Sequence, residues 1–150
     1  MFRLNCQSVW LLSLLVAPLS ISPATAQQQE VVPAIEETAI EQAVEDFYIE
    51  GLRTRRFELI RSICLPDARL MSVRRDGSLG VTTLDRWSQR FDPDNPPFSQ
   101  LQSSIVKIDR EGTAAQVKIH FLIDAERHVF DFLHMLKLDG RWRIAGIIDY

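Results

Sequence analysis

Phe130-Asp131-Phe132-Leu133-His134-Met135-Leu136-Lys137-Leu138-Asp139-Gly140-Arg141-Trp142-Arg143-Ile144 is the stretch on which the fold turns. Its first nine residues carry the two-residue period of a strand, Asp139-Gly140 supplies the left-handed residues of a tight hairpin, and Arg141 to Ile144 begins the returning strand. The first strand is apolar on both faces, with Phe130, Phe132, Leu136 and Leu138 on one and Val129, Leu133 and Met135 on the other. A sheet with one wet face alternates more cleanly, so both faces of this strand need a cover. Helices can cover one. For the other, here expected to carry Leu133 and Met135, homodimerisation is the economical cover.

Two more long strands precede this hairpin. Gln102 to Asp109 turns through Arg110-Glu111-Gly112 into Ala114 to Asp124, and Asp124 to Arg127 turns into His128 to Leu138. Further upstream, the short runs Leu70–Arg74 and Leu79–Thr82 flank Arg75-Asp76-Gly77-Ser78, whose Asp-Gly is a hairpin signal. Before them the period is helical. Pro33 opens a helix whose stripe is Ile40, Ala43, Val44, Phe47, Tyr48 and Gly51, and a second places Phe57, Ile60 and Cys64 on one side before Pro66 stops it. Thr83 caps a third, Leu84 to Phe91, with Trp87 and Phe91 four apart on one face. The three prolines between Asp92 and Pro97 make a rigid loop. Helices followed by antiparallel hairpins give the α+β class, with the helices on one face of the sheet.

Composition removes whole classes of function. The 150 residues suit one domain, and 17 Lys+Arg against 20 Asp+Glu leave a net charge of −3, with no basic excess for a nucleic-acid backbone. The six glycines form no phosphate-cradling loop. There is no metal-ligand spacing and no Gly-x-Ser-x-Gly elbow, so no cofactor or metal is expected.

The N-terminus reads as an export signal. The apolar run Val9–Ala17 is about half the ~20 residues a membrane span needs, and Ala24-Thr25-Ala26 is a small-x-small cleavage site followed by Gln27. The expected organisation is a cleaved signal peptide over 1–26, a short tail over 27–33 and one domain over 34–150. The mature protein would be periplasmic or secreted, free of the membrane, with Cys64 as its single cysteine and a small buried hydrophobe as that residue's ordinary role.

Three stretches carry a resemblance. Ala43-Val44-Glu45-Asp46-Phe47-Tyr48, Leu65-Pro66-Asp67-Ala68-Arg69-Leu70 and the final hairpin, Phe130 to Ile144, together resemble the nuclear-transport-factor-2-like superfamily, in the branch called SnoaL-like or lumazine-binding. The likeness spans residues 34 to 150. It implies a cone: a curved antiparallel sheet wrapped around N-terminal helices, with a pocket at the open end and dimerisation through the outer sheet face. The superfamily also contains a steroid isomerase with a base and an oxyanion hole. Carried over by position, its helix tyrosine falls on Tyr48, its base aspartate near Ser72 and its second acid near His134. Ser72 is no proton-abstracting base without a partner, which favours binding over catalysis.

Within such a cone the expected ligand-binding residues are Tyr48, Trp87, Phe132 and His134, with aromatic walls and a hydroxyl and an imidazole as polar anchors. His134 is the sharpest of these, since an imidazole on an apolar strand is costly unless bonded; a bonded core histidine is the ordinary alternative. The alternation of Val117, Ile119, Phe121 and Ile123 puts His120 on the opposite face of its own strand. His128 falls by the turn, and Asp131 is expected to face outward. Three functions remain open: an exported, homodimeric domain binding a small apolar or aromatic ligand; an isomerase-, dehydratase- or hydrolase-type enzyme using Tyr48 and His134; or a structural or interaction module.

Overall fold

In the computed structural model, which describes residues 24–91 and 100–150, a helix α1 (Ala24–Ala43) runs without a break into a π-helical turn (Val44–Ile49) and a short α2 (Glu50–Arg53). Pro33 therefore lies inside α1 rather than at its start, and residues 27–33, read from sequence as a tail, are helical. The apolar run Val9–Ala17 and the proline-rich loop lie outside the described residues. The π turn is the local feature with most consequence. Its i→i+5 bonding takes one residue more per turn, which advances the buried stripe by one position. Val44, Tyr48 and Ile49 are buried, whereas Phe47, expected on the inward stripe, is 39% exposed. Gly51 follows on the buried side, where an added Cβ would stand 2.6 Å from Cγ1 of Ile60. The next helix packs this closely because position 51 has no side chain.

That helix, α3 (Phe57–Ile63), buries Phe57, Ile60 and Ile63 and passes directly into β1 (Cys64–Val73). Cys64 is thus the first residue of a strand rather than the last of a helix. It is buried and free, and burial pushes its thiol up to about 12, which leaves it a packing residue. β2 (Leu79–Thr83) pairs back on β1, and Thr83 caps α4 (Leu84–Ser88) by accepting from the Arg86 amide. β3 (Leu101–Glu111), β4 (Ala114–Ile123), β5 (Arg127–Leu138) and β6 (Arg141–Asp149) then form three successive hairpins. They bring the chain back so that β6 lies beside β1 and parallel to it. The six-stranded sheet, in the order β2-β1-β6-β5-β4-β3, is therefore mixed, with every other pairing antiparallel.

The curved sheet closes over the helices around one core, to which α1 and the π turn give Ile40, Val44 and Tyr48, and β4 gives Val117, Ile119 and Phe121. Glu36 ties α1 to the last hairpin: Lys137 Nζ donates to both of its carboxylate oxygens at 2.6 and 2.7 Å, and Trp142 Nε1 donates at 3.2 Å. At that hairpin Asp139 and Gly140 both take positive φ (49° and 75°), as the Asp-Gly signal requires.

The β4–β5 hairpin sets the phase of β5. Ile123 pairs with Arg127, so the loop is 124–126, one residue shorter than the turn expected from sequence. Cross-strand partners share a face, and the inward residues Val117 and Ile119 stand opposite Leu133 and Asp131. Leu133 and Met135 are accordingly in the core, at 0% and 1% exposure, and not on an outer interface. Phe132, His134 and Leu136 lie on the opposite, outer face.

Candidate functional site

A cavity of about 300 Å³ opens between the π turn, α4 and the ends of β4, β5 and β6. Tyr48 is brought to it by the π turn and Trp87 by α4, with ring centroids 6.3 Å apart. Phe91 continues the wall 5.6 Å from Trp87, and Phe57 packs edge-on behind Trp87 at 5.3 Å, which fixes the indole plane. On the sheet side Phe121 and Val129 add to the apolar lining, with Leu70, Leu101 and Ile123.

The polar part of the site was missed from the sequence. Asp131, expected to face outward, is 7% exposed and is the single buried charged or polar residue among the described ones. Tyr48 Oη donates to its Oδ2 at 2.6 Å. Burial pushes the Asp131 carboxyl up to about 7, against the pull of the Tyr48 hydroxyl; the nearby Asp149 charge pushes it up further. Burial, and then the charge of Asp131, holds the Tyr48 hydroxyl well above its usual value, so at neutral pH it stays protonated and donates. Asp149 is the registered neighbour of Asp131 on one side and of Ser72 on the other. The first strand has only Ser72 at the position where the resemblance implies a base. β6 sets a carboxylate directly beside it. Burial raises the pKa of Asp149, while Arg127 and Arg90 pull it down.

Of the four residues expected to surround the pocket, the fold brings two together. Tyr48 and Trp87 line the cavity; Phe132 and His134 lie across the sheet from it. His134 is exposed and pairs with Gln116, so it is neither a pocket anchor nor a core histidine. The cause is the one-residue difference in the β4–β5 loop, which exchanges the two faces of β5 and puts Asp131 where an imidazole was expected. His120 does face away from the core, as its strand's alternation predicts. Its partner is His128, Nε2 to Nδ1 at 2.8 Å, with Phe130 stacked at 4.8 Å. Among the described residues, no group of three or more His, Cys, Asp or Glu is placed to hold a metal ion. A second hollow, between α1 and the β5–β6 turn, includes Phe47, Trp142 and Arg141 but no buried carboxylate or hydroxyl pair.

The arrangement offers a protonated hydroxyl, a carboxyl that titrates near neutrality and a second carboxyl, all facing a space walled by aromatic and aliphatic side chains with arginines among its lining. It can orient a small molecule by hydrogen bonds from a few placed polar groups set in a largely apolar wall.

Residues 35–146 match the family model described as "Putative lumazine-binding". No curated protein sequence matches the chain significantly. Among solved structures, an NTF2-like protein of unknown function from Shewanella baltica OS155 superposes with a TM-score of 0.70 at 24% identity, covering 78% of this chain and 94% of that one. A second, from Silicibacter pomeroyi DSS-3, gives 0.67 at 18% identity over 79% and 97%. A cystatin-like domain of unknown function from Nostoc punctiforme PCC 73102 gives 0.57 at 15% identity over 75% of each chain. These likenesses establish the α+β cone.

Proposed function

The chain belongs to this family, described as "Putative lumazine-binding", within the NTF2-like fold, and from that premise we propose that it is an exported, homodimeric domain that holds a small, largely apolar or aromatic ligand in the cavity between α4 and the sheet. One observation carries the reading. The buried Tyr48–Asp131 hydrogen bond lines an open cavity walled by Trp87, Phe91 and aliphatic side chains, and a few placed polar groups in such a wall are what orient a small ligand. The volume is near the lower end for small-molecule sites, which suits a ligand of one or two rings. Export rests on Val9–Ala17 and the Ala24-Thr25-Ala26 site, and predicts an intact mass beginning at Gln27. Cleavage there trims three residues from α1 and leaves its buried part, from Ile40 onward, untouched.

Native mass spectrometry of protein recovered from its own exported fraction tests the binding. The expected result is a dimer carrying a small-molecule adduct. Tyr48→Phe should lose the adduct, keep the dimer, and cost about 1–3 kcal/mol of stability by leaving Asp131 without its donor. An adduct retained equally by Tyr48→Phe removes the pair from the site.

A second reading, an enzyme, is favoured by the Asp131 carboxyl near 7 with Asp149 beside it. A group poised near neutrality can both give and take a proton, and the paired carboxyls supply the base that Ser72 alone could not. It predicts that the retained adduct turns over on incubation, and that Asp149→Asn stops the turnover while retention persists.

A further inference from the structure

The charges around the cavity run against those of the whole molecule. The chain as a whole carries −3, yet the cavity is lined by three arginines, Arg55, Arg90 and Arg127, against the two carboxyls Asp131 and Asp149. Asp131 is uncharged for part of the time at neutral pH, so the local balance is positive. Arg55 is committed to structure: its guanidinium donates to the Arg90 carbonyl at 2.8 Å and lies over the Phe91 ring. The other two are not. Both act on Asp149 through their charge, and among the described residues neither guanidinium has a hydrogen-bonded partner. Two planar forks with five N–H donors each thus face one carboxylate at the edge of an apolar space.

We infer that the ligand of this cavity is an organic anion, an aromatic carboxylate of one or two rings, with its charged end on Arg90 and Arg127 and its rings against Trp87 and Phe91. The inference rests on the cavity being the ligand site and adds the class of ligand. A carboxylate matches a guanidinium in two parallel hydrogen bonds, and a second guanidinium supplies the donors that Asp149 leaves over. The apolar walls exclude water from the rest of the molecule and strengthen the charge pairing at the rim. Positive lining on an acidic protein also draws such an anion to this opening in preference to the remaining surface.

The test compares 2-naphthoate with 2-naphthamide, nearly the same shape with and without the charge, by isothermal titration calorimetry on the mature full-length protein. Naphthoate is expected to bind at least about tenfold more tightly at low salt, with the preference shrinking as ionic strength rises. Arg90→Gln and Arg127→Gln should each weaken naphthoate and leave naphthamide unchanged. Both residues are exposed, and the bond from Arg55 goes to the Arg90 backbone, so the fold survives both changes. Equal affinity for acid and amide, or a preference that survives the double substitution, overturns the anion inference and leaves the cavity reading standing. Naphthoate affinity unaffected by Trp87→Ala, or no binding of either probe, overturns the cavity reading itself.

Discussion

Asp131 takes up protons when the chain folds. In the unfolded chain its carboxyl titrates near the ordinary value of about 3.9, and in the fold burial carries it to about 7. Below the lower value both states are protonated and the group costs nothing. Between about 4 and 7 the unfolded chain sheds a proton that the folded one keeps, so stability falls as pH rises, and above 7 the full cost persists. Asp131→Asn cannot titrate, and its Oδ1 can still accept from Tyr48. Its advantage over the native protein should therefore grow from nothing or less at pH 4 to on the order of 1–3 kcal/mol at pH 8, read from urea midpoints across that range. Asp149, also raised, keeps some slope of the same sign in the variant. Parallel pH profiles for the two proteins would show that Asp131 does not titrate there. The sequence did offer a signal for this residue: it is the one acid in a strand otherwise made of rings, aliphatics and basic groups. Its meaning depended on which face it occupied.

At the scale of elements, the sequence reading succeeds where one local rule acts and fails where a single residue shifts the count. Asp139-Gly140 and the Thr83 cap are each fixed by the chemistry of one or two residues, and both form as expected. The β4 face is right as well, because four apolar residues alternate without interruption. β5 is wrong because its two faces are almost equally apolar. Hydrophobicity then cannot choose between them, and the choice passes to a loop of three residues or four. That loop holds Asp124 and Ala125 at positive φ (52° and 60°), a conformation neither a Gly nor an Asn announces. The first helix fails in the same way, since a π turn shifts its stripe without any composition signal. The two residues it exchanges can be weighed against each other. Ile49→Ala should cost about 2–5 kcal/mol in chemical denaturation, and Phe47→Ala less than about 1 kcal/mol. An uninterrupted α-helix requires the reverse order. Tyr48 is inward on either count, so the half of the candidate site that the sequence misplaced, the β5 residues, turned on the single residue of the β4–β5 loop.

At the scale of the molecule, the outer face of the sheet carries a row of apolar side chains. Registered partners run straight across four strands as Phe132, Ile148, Met71 and Val81, with Lys118 beyond Phe132. Ile148 and Val81 are 38% and 46% exposed. On the homodimer proposed above, this row is the face offered for the contact, because an isologous interface pairs one patch with its own copy across a two-fold axis. Leu133 and Met135, expected at the interface, are core residues, so the proposed contact falls on the other side of β5. Two substitutions separate the alternatives. Ile148→Asp puts a charge in the middle of the row while leaving the core alone, so sedimentation velocity should give a soluble monomer with unchanged circular dichroism. Met135→Lys, on the side once expected to be the interface, should instead unfold the chain, because it buries an unpaired ammonium among core residues. Ile148→Asp at the native dimer mass would exclude the outer face. A folded, monomeric Met135→Lys would reverse the phase of β5 itself, and with it the placement of Asp131 in the cavity.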